Sequence, residues 1–380
     1  MKYKFEDIIY NITEKKKPSE EDRLNYIGLE HLDSGSLFVT RWGAERTPEG
    51  EKIVMKKGDV LFGKRRAYQK KVAISPIDGV FSAHGMVLRP KENVICKEFL
   101  PFFISSDYFL NEAIRISVGG LSPTINWKDI KVLEFNLPSL EEQKVLAEKL
   151  WAAYEVKQSY LKMIEATEEM VKSQFVEMFD NGESNTKAYD IKCLGELCDI
   201  VGRIGFRGYT KADLVDNPND GAISLSPSNI INGNMSFDEC SYVTWDKYNE
   251  SPEIMIREGD ILLVKTASVG KCAYVNYLPH EATINPQFVV LKNKKVNGIY
   301  LSMYIKSEYG QRCIKSYTSG STIPTLTQKQ LATMRVVVPP VEEQTKFENF
   351  YNQADKSISE LRKSIDAIDK VIKSLINENL

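Results

Sequence analysis

Between Lys52 and Lys71 the chain carries eight lysines and arginines against one acid, Asp59. The densest part is Lys64-Arg65-Arg66-Ala67-Tyr68-Gln69-Lys70-Lys71. The chemistry open to such residues is recognition. Lys and Arg neutralise phosphates, and Arg or Gln bonds base edges bidentately in a major groove. Tyr68 can stack or bond a phosphate. The segment follows DVLFG and precedes VAISP, so it reads as a loop joining two strands. At an offset of 201 positions, Lys265-Thr266-Ala267-Ser268-Val269-Gly270-Lys271 keeps the two flanking lysines and changes what lies between. Shared phosphate anchors (Lys64, Lys70, Lys265, Lys271) with divergent base readers (Arg65, Arg66, Thr266, Ser268) is the pattern of two sites reading different sequences. A solvated basic hairpin is the plainer alternative.

Further candidates are polar residues near strand ends. His84 and Asn285 share the 201 offset and read as matched residues entering a strand, with a turn role as the alternative. GRIGFRGYTKAD offers Arg203, Arg207 and Tyr209. VGGLSPT and SGSTIPT offer Ser122, Thr124, Ser321 and Thr322 as phosphate donors or as plain turn formers. Bond-making chemistry is not expected. Asn285-Pro286-Gln287-Phe288 has the look of an adenine-methyltransferase tetrad, but its third position is Gln and its repeat partner, His84-Gly85-Met86-Val87, has no trace of it. GRIGFRG does not run from a clear strand into a helix, so it makes no cofactor loop. The six cysteines and three histidines lack metal-ligand spacing, and reduced thiols are expected.

The elements that would position these loops occur twice. Gly58-Asp59-Val60-Leu61 answers Gly259-Asp260-Ile261-Leu262; Ile104, Ser106 and Tyr108 answer Ile305, Ser307 and Tyr309; Pro123-Thr124-Ile125 answers Pro324-Thr325-Leu326. LPSLEEQ (Leu137 to Gln143) answers VPPVEEQ (Val338 to Gln344). The chain is a tandem duplication. Each copy starts with short β-branched and aromatic runs around helical stretches, a mixed α/β unit. Each ends in a long helix that opens with Pro and Glu-Glu, suiting the positive end of the helix dipole.

The second helix places Phe347, Tyr351, Ala354, Ile358, Leu361, Ile365, Ile368, Ile372 and Leu375 in steps of four and three, a seam of about four heptads. The first is rougher: Leu146, Leu150, Ala153, Leu161, Ile164, Val171, Phe175 and Met178, with Lys157 interrupting. A helix of nearly 40 residues spans on the order of 55 Å, too long to be covered by its own small domain. The expected fold is therefore α+β: mixed units at 1–137 and 184–338, and helices at 138–183 and 339–380 that pair antiparallel. Tandem repeats joined that way acquire an internal pseudo-two-fold axis, which pseudo-symmetric DNA sites also offer.

Composition sets few limits beyond an ordinary globular chain of 380 residues with 42% hydrophobic and 27% charged content. No run approaches the roughly 20 apolar residues of a membrane helix, and the N-terminus has no signal-peptide core, so a cytoplasmic protein is expected. The net charge of −2 hides segregation, since acids outnumber bases about two to one from Glu141 to Glu183 while the Lys52–Lys71 stretch is basic.

FGKRRAYQKKVA, VGGLSPTINWKDIKVLEFNLPSLEEQ and SGSTIPTLTQKQLATMRVVVPPVEEQ resemble specificity (S) subunits of type I restriction-modification systems, over essentially the whole chain. The resemblance implies a non-catalytic subunit whose two target recognition domains each read one half of a split asymmetric DNA sequence, with paired helices setting the gap. It implies two modification subunits that methylate adenine with S-adenosylmethionine, and restriction subunits using ATP and Mg, with no cofactor on this chain. A specificity subunit of another multisubunit restriction or modification system is a close alternative. A coiled-coil interaction protein without DNA binding is a more distant one.

Overall fold

A computed structural model describes residues 1–180, 185–205, 208–320 and 323–380. The chain divides into two compact units, 1–162 with 361–380, and 163–360. Among the described residues no helix is long and apolar enough to cross a membrane.

In the first unit the strand Val60–Phe62 faces two cores. Val60 and Phe62 point into a cluster with the helices Leu100–Ser105 and Asp107–Arg115, while Leu61 joins Ile27, Ile53 and Phe81 on the other side. This is the period-two alternation of a strand, with both faces apolar because both are covered. The sheet runs Ile9–Ile12, Met86–Pro90, Val60–Phe62, Val72–Ile74, all antiparallel. A second sheet, Lys15–Lys16, Lys52–Met55, Gly79–Phe81, Tyr26–Ile27, ends in a parallel pair. The second unit repeats this. Ile261 and Leu263 face the helices, Leu262 and Val264 face the other core, and a parallel pair joins Gly221–Leu225 to Ala282–Ile284. The Gly-Asp motifs have a common local cause. Gly58 (φ 90°) and Gly259 (φ 87°) turn the chain in the left-handed region, and the next Asp accepts from a backbone N–H, Lys56 or Arg257.

Each unit is closed by a strand pair that joins its start to its end: Lys2–Lys4 with Glu134–Asn136, and Asp190–Cys193 with Arg335–Val338. The long helices, Leu140–Phe179 and Val341–Asn379, leave directly from these strands. The Glu-Glu-Gln motif explains how they are attached. Gln143 and Gln344 are 1% and 2% exposed. Each accepts a backbone N–H through its Oε1 at 2.8 Å, from Cys96 and from Asn297, which are themselves 201 apart. Each Nε2 donates to the carbonyl of Pro138 or Pro339, and Gln143 also reaches Val94 O. The helix starts differ beside this shared bond. Ser139 and Glu142 form a capping box, whereas Pro340 replaces the serine and Glu343 accepts from the Tyr189 hydroxyl at 2.6 Å.

The start of the first helix shares a core with the end of the second in one unit: Leu146, Leu150 and Tyr154 with Ile376, Ile372 and Leu375. In the other unit Val171, Phe175 and Phe179 share a core with Phe347, Ala354 and Tyr351. The pairing is antiparallel in chain order. The expected seam of the second helix is kept. In the first, Tyr154 and Phe179 are buried where Ala153 and Met178 were expected to lead, and Leu161 is exposed.

Removing the glutamine weld strands two or three buried or part-buried backbone groups, a fully buried one costing about 1–3 kcal/mol. Gln143→Leu and Gln344→Leu are each expected to lower the urea midpoint, with a loss of about 3 kcal/mol. Equal midpoints for either variant and the parent would show that the bonds add nothing.

Candidate DNA interface

Lys64 and Lys265 sit at the same corner of the two units, immediately after the strands Val60–Phe62 and Ile261–Val264. Their carbonyls accept from Ile125 N (3.0 Å) and Leu326 N (2.8 Å). Two residues on, Arg66 N donates to Pro123 O (2.7 Å) and Ala267 N to Pro324 O (2.9 Å). Arg66 (φ 54°) and Ala267 (φ 66°) are both left-handed, a conformation that costs a non-glycine residue about 1–2 kcal/mol. Val118 with Thr124, and Ser319 with Thr325, close the adjoining loop by reciprocal backbone bonds. The basic hairpin and the Pro-Thr loop, separate candidates in the sequence, therefore form one rigid surface in each unit.

Electrostatics single out the two lysines. Both are half-buried, and burial holds both ammonium groups below the usual lysine range; Lys15 adds repulsion at Lys64. Neither forms an ion pair with a described residue. A half-desolvated cation without a carboxylate is costly, and the cost recurs in both copies. His84 belongs to the same cluster. Burial, then Arg65, Lys64 and Lys52, keeps its imidazole below the ordinary histidine range, and its Nε2 lies 3.4 Å from Arg65 Nη1. Lys15 and Lys52 are thus part of the positive corner. Lys52 opens the basic stretch itself, whereas Lys15 lies far from it in sequence and is brought in by the strand pairing of Lys15–Lys16 with Lys52–Met55.

The other candidates divide. Arg65, Arg66 and Tyr68 are exposed, and Arg66 Nε donates to Ser122 Oγ at 3.2 Å, joining both loops. Thr124 turns its hydroxyl onto Ser122 O (3.2 Å), the local role a turn former plays. Lys70 is exposed but bound to Asp107 Oδ1 at 2.6 Å, whose other oxygen holds Lys373 at 2.5 Å. Lys71 donates to Leu29 O (2.7 Å), and Lys271 to Pro227 O and Ile230 O (3.3 Å each). Thr266 is half-buried and Ser268 exposed. Arg203 is buried, donating to Ile284 O and Thr283 Oγ1, with its guanidinium 5.2 Å from the Tyr209 ring centre. That placement makes it part of the domain core, with Tyr209 accepting from Ser224 Oγ beside it. Arg207, Ser321 and Thr322 lie outside the described residues.

Two register corrections follow from the sheets. Phe62 pairs with Val72, but Leu263 pairs with Cys272, so the second hairpin is one residue shorter. Lys271 therefore corresponds to Lys71, as their shared carbonyl bonds show, and Lys70 corresponds to Gly270; both of those are left-handed, at φ 50° and 95°. Beyond the hairpin the offset changes again. His84 N donates to Ser82 Oγ, and Gln287 N to Asn285 Oδ1, in matching turns. His84 thus corresponds to Gln287, not to Asn285, and Asn285 Nδ2 holds Gln287 Oε1 at 3.0 Å. Gln287, which a constant offset hides, and Thr325, which answers Thr124 at that offset, join the candidates.

Among the described residues no group of three or more His, Cys, Asp or Glu could hold a metal. Two welded, lysine-bearing platforms recur on separate α/β units, so the duplication extends to the candidate interface. The family described as "Type I restriction modification DNA specificity domain" matches residues 2–164 and 186–369, and the chain belongs to it. It is 22% identical over 375 residues to the MjaVIII specificity subunit of a type I restriction enzyme from Methanocaldococcus jannaschii, covering 93% of this chain and 84% of that one. Two solved structures share the fold. One is the S subunit of a type I restriction-modification system from M. genitalium (TM-score 0.52, 14% identity, 99% of this chain and 94% of that one). The other is a chain solved in work on complex assembly and conformational transition of the type I R-M system (TM-score 0.54, 18% identity, 100% and 97%).

A phosphate beside Lys64 or Lys265 would favour the ammonium form and raise the depressed pKa. DNA affinity is therefore expected to be full below the free-protein pKa and to fall as pH rises through it. Lys64→Arg with Lys265→Arg should flatten this alkaline fall, because guanidinium stays charged. The double alanine variant should reduce the slope of log affinity against log salt by about two. A slope and pH profile identical to the parent's would remove both lysines from the interface.

Proposed function

We propose that the chain recognises a bipartite, asymmetric double-stranded DNA target, one half-site on each α/β unit, and takes no part in bond making. The observation that carries this is the pair of half-buried, carboxylate-free lysines, Lys64 and Lys265, on identically welded loops. Around them the side chains differ: Arg65, Arg66 and His84 in one copy, Thr266, Ser268 and Gln287 in the other. Anchors kept and readers changed suit two different half-sequences.

In this reading recognition domains at 1–137 and 184–338 are joined by spacer helices at 138–183 and 339–380, whose antiparallel pairing relates the domains by a pseudo-two-fold axis and sets the gap. The family resemblance supplies the partners: two S-adenosylmethionine-dependent modification subunits, and restriction subunits using ATP and Mg, in the cytoplasm. This chain would contribute sequence choice alone.

Mapping N6-methyladenine in the host genome, with and without this gene, is expected to reveal one split sequence that depends on it. Excising one heptad from each helix (residues 161–167 with 359–365) shortens the spacer by about 10 Å, or about three base pairs of B-DNA. The methylated target should keep both half-sequences with a shorter gap. An unchanged gap would show that the helices measure nothing.

A further inference from the structure

The seam of the first long helix contains one residue of the wrong polarity. Leu150, Lys157, Ile164 and Val171 follow one another at intervals of seven. The other three are buried, so Lys157 occupies a core heptad position. Its side chain is only 14% exposed, and its Nζ lies 2.6 Å from Asp369 Oδ1 on the second helix. A lysine in such a position costs stability. It is tolerated where one alignment supplies its counter-charge.

Apolar contacts elsewhere in the seam do not choose between alignments as sharply. Phe175, Phe179 and Phe347 pack tilted or edge-to-face with centroids 5.2 to 5.6 Å apart, and the apolar burial they supply is non-directional. The charge pair is directional. Seven residues beyond Asp369 stands Ile376, and seven before it stands Arg362. A slip of one heptad either way would set Lys157 against an apolar residue or a like charge. Each slip moves the helices by about 10 Å, equivalent to about three base pairs.

We infer that the Lys157–Asp369 pair fixes the alignment of the spacer helices, and through it the gap length the subunit accepts. This rests on the reading of the helices as a spacer. Lys157 and Asp369 are positioning residues and touch no DNA.

The test uses the full chain assembled with its modification subunits, on duplexes holding both half-sites at the cognate gap and at gaps changed by about one to three base pairs. Lys157→Leu is expected to raise the melting temperature while reducing discrimination against wrong gaps about tenfold. Lys157→Asp should weaken the protein and its gap preference, and Lys157→Asp with Asp369→Lys should restore both. Spin labels encoded at Glu155 and Lys370 report the alignment directly, as one narrow distance in the parent and a broadened distribution in Lys157→Leu. Unaltered distances and gap preference in Lys157→Leu, beside a shortened gap in the heptad excision, would overturn the inference and leave the spacer reading intact. Broadened distances with unaltered gap preference would break the link between alignment and gap. Failure of the excision itself would remove the spacer reading, and with it the inference.

Discussion

A surface loop is only as well aimed as the unit that carries it, and each unit here is tied to its long helix by a buried side-chain amide. Gln143 and Gln344 each bond backbone on the α/β unit with one end and the preceding proline carbonyl with the other. The long helix therefore cannot pivot freely on its Pro-rich entry. Because both amides are nearly wholly excluded from water, any pivot would expose or orphan several polar groups together. The apolar packing of Leu146, Leu150 and Tyr154, and of Phe347 and Ala354, adds area to the attachment, and the two glutamines add direction.

Upstream of that weld, the strands Val60–Phe62 and Ile261–Val264 are buried on both faces and hydrogen-bonded to a neighbour on each edge, which holds their register. The loops that follow those strands inherit this precision. Strained backbone at Arg66 and Ala267 is affordable only on such a base. The two copies keep the strain, the proline carbonyl that meets it and the desolvated lysine, while the exposed side chains have diverged.

Much of this was legible in the residue pattern. The duplication, the helices, the hairpin position and the second seam are stamped by period and spacing, which depend on local chemistry. The errors arose where tertiary pairing overrides a constant count. The second hairpin is one residue shorter, so Lys70 answers Gly270, and His84 answers Gln287. No linear comparison at a single offset shows this, because compensating changes restore the count further on. Arg203 looked like a surface cation in a Gly-rich loop; burial against Ile284 O and Thr283 is a contact from a strand some 80 residues away. Lys157 appeared only as a break in the stripe, since its partner lies on the other helix. Lys15 joins the positive corner through strand pairing, which leaves no mark on charge runs.

The closing strand pairs carry one more consequence. Because Lys2–Lys4 lies against Glu134–Asn136, and Asp190–Cys193 against Arg335–Val338, the chain enters and leaves each unit at a single doorway. Between those strands, the polar contacts with the helices include Val94, Cys96 and Asn297, through the two glutamines, and Leu37 and Glu98, through Tyr154 and Trp151. With entry and exit fixed side by side, loops remote from those contacts can change length or composition without moving the two ends that the helix meets.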